Sequence, residues 1–276
     1  MPAPRRTLLV GFGKLGARLA PRLIAAGGEV FALRRSDGEL PTGVVGVRGD
    51  LSTPLRSSLP EVDAVLVTLP PGEEPSAYRT ALTHLADALP RIPARTVFVS
   101  STGVFEGTVA ERPITEREEP AAVSGRAAAI RDGERAAVEL FDAVVVRPAG
   151  IYGPGREFLL RRVRAGEGVD HARRTNRIHE SDLARALDLM LRTDDPPALL
   201  HAVDRKPAPL GDVVRFLAAR LGVDVPPDSG SGAPSGLVHD GSLLLSLLGT
   251  LEHPTYESGY ADMIASGTGS PRSLGR

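Results

Sequence analysis

Thr7-Leu8-Leu9-Val10-Gly11-Phe12-Gly13-Lys14-Leu15-Gly16 is the stretch that decides the fold. A short apolar run enters three glycines spaced GxGxxG, and a helical stretch, Lys14–Ala26, opens inside the motif. In that strand–loop–helix setting each glycine has a physical reason. Gly11 makes the tight turn, Gly13 lets a pyrophosphate approach the backbone, and Gly16 permits close helix–strand packing. The helix start adds amide donors and the positive end of the helix dipole. Gly11, Phe12, Gly13, Lys14, Leu15 and Gly16 are therefore expected to hold a dinucleotide. A tight turn with no ligand is the competing reading.

Outward from the motif, apolar strands alternate with helices, the pattern of a parallel sheet covered on both faces. Strands are expected at Thr7–Val10, Glu29–Leu33, Val44–Arg48, Ala64–Thr68, Thr96–Ser100 and Ala143–Arg147. Helices are expected at Lys14–Ala26, Ser76–Leu89 and Ser124–Leu140. Pro21 sits inside the first of these, where a kink or break is the usual outcome. Leu33 is followed by Arg34-Arg35, with no acid until Asp37. An NAD-preferring site places an acid there, whereas arginine suits a 2′-phosphate. NADP is the expected cofactor through Arg34 and Arg35, with NAD the alternative and a solvated surface pair the rival reading. Asp50 suits either an adenine contact or a turn cap. Thr68, Leu69 and Pro148, at the ends of the fourth and sixth strands, complete the expected cofactor set.

Composition narrows the classes. The chain has 276 residues, a net charge of −1, 42% hydrophobic residues, no cysteine and no tryptophan. Disulfides, thiolate metal sites and a cysteine nucleophile are excluded together. Near-neutral charge argues against nucleic acid held by a globally basic surface. No apolar run approaches the roughly 20 residues needed to cross a bilayer, and Met1–Arg6 leads into a strand instead of a signal peptide. A cytoplasmic protein with no membrane partner is expected. Of 33 basic residues only Lys14 and Lys206 are lysines.

The texture changes at Ile151. Arg161, Arg162, Arg164, His171, Arg173, Arg174 and Arg177 crowd together, then helices are expected at Ser181–Leu191 and Leu210–Leu221. Pro226–Gly236 reads as a flexible surface loop, and no internal repeat of fixed period occurs. The fold expected is a doubly wound parallel Rossmann sheet with a small C-terminal substrate-side lobe. Residues 1–150 form the dinucleotide-binding domain, rejoined by about 176–205; 151–175 and 206–265 form the lobe, and 266–276 a flexible tail.

Several segments, in order over roughly residues 7–225, resemble the extended and atypical short-chain dehydrogenase/reductase superfamily, the NAD-dependent epimerase/dehydratase-like proteins. Val97-Phe-Val-Ser100-Ser101-Thr102-Gly103-Val104-Phe105 is similar to the family's fifth-strand motif, and Val146-Arg147-Pro148-Ala149-Gly150-Ile151-Tyr152-Gly153-Pro154-Gly155 to its sixth. Asn176-Arg-Ile-His179-Glu-Ser-Asp182-Leu and Leu200-His-Ala-Val203-Asp204 resemble later family segments. The GxGxxG spacing points to the atypical branch. The resemblance implies Ser101 and Thr102 as catalytic residues and Tyr152, Arg156 and Arg177 on the substrate side. A small-molecule substrate is implied, and a homodimer is compatible with it.

The sequence departs from the family at its centre. Active members carry a Tyr four residues before a Lys at the start of the helix before the sixth strand. Here Ser124 and Ala128 occupy those places, and neither Lys14 nor Lys206 has a Tyr four residues before it. Ser101 then either polarises a carbonyl or merely lines the pocket, and Tyr152 is a weak substitute for the missing phenol. No metal site is expected: His179, Glu180 and Asp182 do not complete HExxH. A GxSxG nucleophile elbow is also missing. Two functions stand: an NADP-dependent oxidoreductase or epimerase acting on a small, sugar- or nucleotide-linked substrate, or an inactive NADP(H)-binding sensor or scaffold.

Overall fold

A computed structural model describes residues 4–72, 74–121 and 124–267. The chain runs β1 (Arg6–Val10), α1 (Lys14–Ala25), β2 (Glu29–Arg34), β3 (Val44–Arg48), β4 (Ala64–Val67), α2 (Ala77–Ala88) and β5 (Arg95–Val99). A 3-10 turn (Thr102–Phe105), α3 (Gly125–Phe141), β6 (Val144–Pro148), β7 (Gly150–Tyr152), α4 (Phe158–Arg164), β8 (Arg174–Thr175) and β9 (Arg177–His179) follow. The chain closes with α5 (Glu180–Arg192), β10 (Leu199–Ala202), β11 (Ala208–Pro209), α6 (Leu210–Leu221), α7 (Ser242–Leu248) and α8 (Tyr256–Ala265). Two compact units result: Met1–Thr108, Glu116–Pro148 and Leu183–Ala202 form the first, and Val109–Thr115, Ala149–Asp182 and Val203–Arg276 the second.

The first unit is the doubly wound sheet expected from the strand pattern. Seven strands lie in the order β10-β6-β5-β4-β1-β2-β3. Every neighbouring pair is parallel. Leu8, Leu9, Val10, Ala64, Val65, Leu66, Val67, Val97 and Phe98 are at most 1% exposed, because helices shield both faces of the central strands. β3, at the edge, leaves Val45 half exposed. α1 buries one stripe, Leu15, Leu19, Ala20 and Leu23, and continues unbroken through Pro21. The proline is tolerated because it lies on the solvent face, where water can satisfy the carbonyl it cannot reach. α2 and α3 approach closely at Gly133, where a Cβ would come within 2.7 Å of the Tyr78 ring.

In the second unit β7 pairs in parallel with β9, and β8 pairs antiparallel with β11. Tyr152, Leu160, Val163, Val213, Val214, Leu217 and Met263 share its core with Tyr256 and Tyr260. α8 opens on a capping box in which Thr255 and Ser258 satisfy each other's backbone amides. The sequence expectation of a flexible Pro226–Gly236 loop is corrected in part. The segment is a largely exposed loop, yet it is tied down: Val169 donates to the Pro227 carbonyl at 3.1 Å, Ser229 to Val169 at 2.9 Å and Arg174 to Ser235 at 2.8 Å. Of the expected tail, Ser266 and Gly267 form a turn after α8, and residues 268–276 lie outside the described residues. Among the described residues no helix is long and apolar enough to cross a membrane.

Candidate functional site

The glycine loop lies at the carboxyl end of β1, beside the point where the strand order reverses between β1 and β4. Open α/β sheets bind their ligands at such a point. Gly11 has φ +82°, and a Cβ there would come within 3.2 Å of the Thr68 backbone. Both facts restrict the position to glycine. Its amide donates to the Leu33 carbonyl at 3.1 Å, tying the loop to β2. The Thr68 hydroxyl donates to the Gly11 carbonyl, fixing the loop from the β4 side.

Gly13 is different. Its φ of −110° suits any residue, and a Cβ would meet nothing within 4 Å. The protein among its described residues has no steric need for glycine here, whereas a ligand lying on the backbone does. α1 begins at once, with Ala17 donating to the Gly13 carbonyl at 2.9 Å, no side-chain cap and no acid in its first turn. A helix start of this kind, with its positive dipole end and no acid beside it, suits an anion. Gly16 packs against the Phe12 ring, where a Cβ would lie at 3.0 Å. A side chain at this position would first meet Phe12. These residues fit a dinucleotide pyrophosphate.

At the end of β2 the two arginines diverge. The Arg34 guanidinium folds back onto its own loop, donating to the carbonyls of Gly38 and Glu39. Arg35 is exposed, and its charge helps hold the Asp50 carboxyl below the ordinary value, behind the larger effect of Ser52 hydrogen bonding. Asp50 accepts from the Ser52 amide at 2.9 Å, which is the geometry of a turn cap. Arg48 pairs with Asp37 at 2.9 Å on the surface.

Ser101 and Thr102 follow β5. The Ser101 Oγ accepts from the Gly103 amide at 3.0 Å and starts the 3-10 turn. The hydroxyl proton is then the group it can offer a ligand. Thr102 Oγ1 donates to the carbonyl of Pro148, at the end of β6, at 3.4 Å. α3 starts at Gly125 with Ser124 as its N-cap, whose side chain makes no capping hydrogen bond among the described residues. A cavity of about 280 Å³ lies beside it, lined by Pro71, Gly72, Pro75, Gly125, Arg126 and Ala129. Tyr78 does not replace the missing phenol. It is 5% exposed and donates to the Leu69 carbonyl at 3.1 Å, and burial pushes its hydroxyl up to about 12.

The expected substrate-side residues all lie in the second unit. Tyr152 is 3% exposed, donates to the Thr255 carbonyl at 3.3 Å and stacks 4.5 Å from Tyr260. Burial raises its phenol well above the ordinary range. Arg156 pairs with Glu180 at 3.5 Å, and Arg177 is buried over the Tyr256 ring and bonded to Tyr260. Tyr152 and Arg177 thus serve packing within that unit, and Arg156 is the most exposed of the three. Among the described residues no group of His, Cys, Asp and Glu could hold a metal ion.

Sequence reasoning missed one buried group in the first unit: Ser100, Glu134 and Arg147 share hydrogen bonds on a single carboxylate. The signal was present. Arg147 interrupts the continuous apolar run of its strand, and Glu134 falls seven residues after Ala127 and seven before Phe141 on the buried stripe of its helix.

No family model matches the chain. A dTDP-4-dehydrorhamnose reductase of Mycobacterium tuberculosis is 30% identical over 226 residues, covering 75% of this chain and 71% of the relative. A solved structure from Methylobacillus flagellatus, assigned to the NAD-dependent epimerases/dehydratases, superposes with TM-score 0.77 at 28% identity, over 97% of this chain and 99% of that one. MoeE5 in complex with UDP-glucose and NAD superposes with TM-score 0.75 at 25% identity, over 98% and 100% of the two chains.

Proposed function

The chain belongs to the NAD-dependent epimerase/dehydratase-like branch of the short-chain dehydrogenase/reductase superfamily, and on that footing we propose that it is an NADP-dependent oxidoreductase or epimerase acting on a sugar- or nucleotide-linked carbonyl compound. The observation that carries the reading is Gly13, where a Cβ would meet nothing within 4 Å among the described residues, at the start of a helix with no side-chain N-cap. The substrate class is supported by the names of its relatives: one is a reductase of a dTDP-linked keto-sugar, and another was solved with UDP-glucose.

The residues of this chain divide the work. Gly11 and Gly13 shape the loop, their own amides held by the Leu33 and Gly11 carbonyls, and the pyrophosphate lies on the open Gly13 backbone against the first turn of α1. Thr68 and Leu69 wall the same cleft. Arg35 is the arginine placed to read a 2′-phosphate, because Arg34 is engaged in holding the loop at Gly38 and Glu39. When bound, the nicotinamide supplies the hydride chemistry. Ser101 orients and polarises the substrate carbonyl: its oxygen is held by the Gly103 amide, which leaves the hydroxyl proton as the group to donate. It does not protonate the product oxygen as an acid, since an aliphatic hydroxyl is far too weak an acid at neutral pH.

A second reading is favoured by one observation. Ser124 and Ala128 stand where the family's tyrosine and lysine stand, so the chain also suits an NADP(H) sensor without turnover. Titration with NADPH, followed by oxidation assays over a panel of nucleotide-linked keto-sugars, separates the two. Turnover lost in Ser101→Ala supports the enzyme, and binding without oxidation of any panel member supports the sensor. Absence of binding overturns both.

A further inference from the structure

α3 brings one charged side chain to the ends of β5 and β6. Glu134 is 7% exposed and Arg147 is 5% exposed. Arg147 Nε donates to Glu134 Oε1 at 2.7 Å and Nη2 to Oε2 at 2.7 Å, a forked pair. The Ser100 hydroxyl donates to the same Oε1 at 2.5 Å. One carboxylate therefore joins α3, β6 and the residue that follows β5. The Ser100 amide in turn donates to the Val146 carbonyl at 2.7 Å. The Arg147 guanidinium lies 5.1 Å from the centre of the Phe105 ring, at the far end of the 3-10 turn. The segment from Ser101 to Phe105 is thus gripped at both ends by one buried ion pair.

Such a pair is a poor device for stability alone. Removing two charges from water offsets most of their attraction, and well-packed apolar groups often serve as well. What a shared, forked carboxylate fixes is direction and register. We propose that Glu134 is a positioning residue: through Ser100 and Arg147 it locks the strand end that presents Ser101 and Thr102. The inference rests on the reading of those two residues as lining the nicotinamide end. α3 carries no dyad, and it acts on the site through this carboxylate.

Hydrogen exchange by mass spectrometry on the full chain, without ligand, tests the lock. In Ser100→Ala and Glu134→Gln the amides of residues 100–105 exchange about tenfold faster or more than in the wild type. Ser100→Thr, which keeps the hydroxyl, restores slow exchange. Leu23→Ala, a core cavity in α1, lowers the melting temperature without accelerating residues 100–105. Should Glu134→Gln fail to fold, Ser100→Ala carries the test, since it leaves the ion pair intact. Unchanged exchange at 100–105, or equal acceleration by Leu23→Ala, overturns the proposal. NADPH fluorescence is read in parallel on the same proteins. Faster exchange with no NADPH binding by the wild type removes the cofactor reading and leaves the lock standing. Binding with unchanged exchange removes the lock alone.

Discussion

At Gly11 the backbone itself favours glycine: φ is +82°, and a Cβ would lie a tight 3.2 Å from the Thr68 carbonyl. Gly11→Ala is expected to lower stability by about 1–2 kcal/mol from backbone strain, and to weaken NADPH binding with it. Gly13 carries neither constraint, so a side chain there obstructs only what comes from outside. The arginines differ in the same way. Arg35→Asp should weaken NADPH at least about tenfold more than NADH, a charge-assisted contact being worth roughly 1.5–3 kcal/mol. Arg34→Ala should disturb both cofactors alike, by loosening the Gly38–Glu39 turn. Competitive titration with the two reduced cofactors distinguishes them, and an equal loss in Arg35→Asp would remove Arg35 from the 2′-phosphate. The sequence put both arginines at the end of β2, where a 2′-phosphate reader is expected. Which of them turns back on its own loop depends on the carbonyls of a turn, and no local pattern fixes those.

Among elements, α2 and α3 meet where Gly133 receives the Tyr78 ring. Gly133→Ala should cost about 1–3 kcal/mol by overpacking, read as a lower denaturant midpoint. In the second unit Gly259 of α8 lies against the Tyr152 hydroxyl too closely for any side chain, so Gly259→Ala should loosen α8 by a similar amount. The strands of the sheet were readable because buried parallel strands are nearly unbroken apolar runs, and the first-unit helices because their apolar stripes are regular. α8 was not readable. It is ten residues long, has Gly259 in its interior, and owes its place to Tyr152, a residue more than a hundred positions earlier. α4 and α7 are seven residues each, too short for a period to show. Glu134 and Arg147 announced themselves only as exceptions to apolar patterns, and pairing two exceptions needs the fold.

On the scale of the whole molecule, the first unit sets its glycine loop, Thr68, Ser101 and Pro148 at the carboxyl ends of β1, β4, β5 and β6. That placement follows from strand order. The second unit carries its own pH dependence. Asp204 is 3% exposed; one oxygen accepts from the Lys206 amide at 3.0 Å and the other has no hydrogen-bond partner among the described residues. Burial, aided by the Glu257 and Asp182 charges, raises its carboxyl to about 7, against the lowering effects of that amide and Arg177. Between its ordinary value of 3.8 and about 7 the unfolded chain releases this proton while the folded unit keeps it. Stability therefore falls as pH rises through that window and levels above it, by a total on the order of a few kcal/mol. Asp204→Asn should flatten the profile. Tyrosine fluorescence can follow it: there is no tryptophan, and Tyr152, Tyr256 and Tyr260 all lie in the second unit. A wild-type profile that rises across the window would contradict the assignment.

The central claim, that backbone at the mouth of β1 binds a dinucleotide, is tested most directly by calorimetric titration of NADPH into the wild type and Gly13→Val, with the melting temperature of each ligand-free protein measured alongside. The predicted result is heat of binding for the wild type, none for Gly13→Val, and the same melting temperature for both. A wild type that takes up no NADPH, or a valine variant that binds it equally well, would contradict the account.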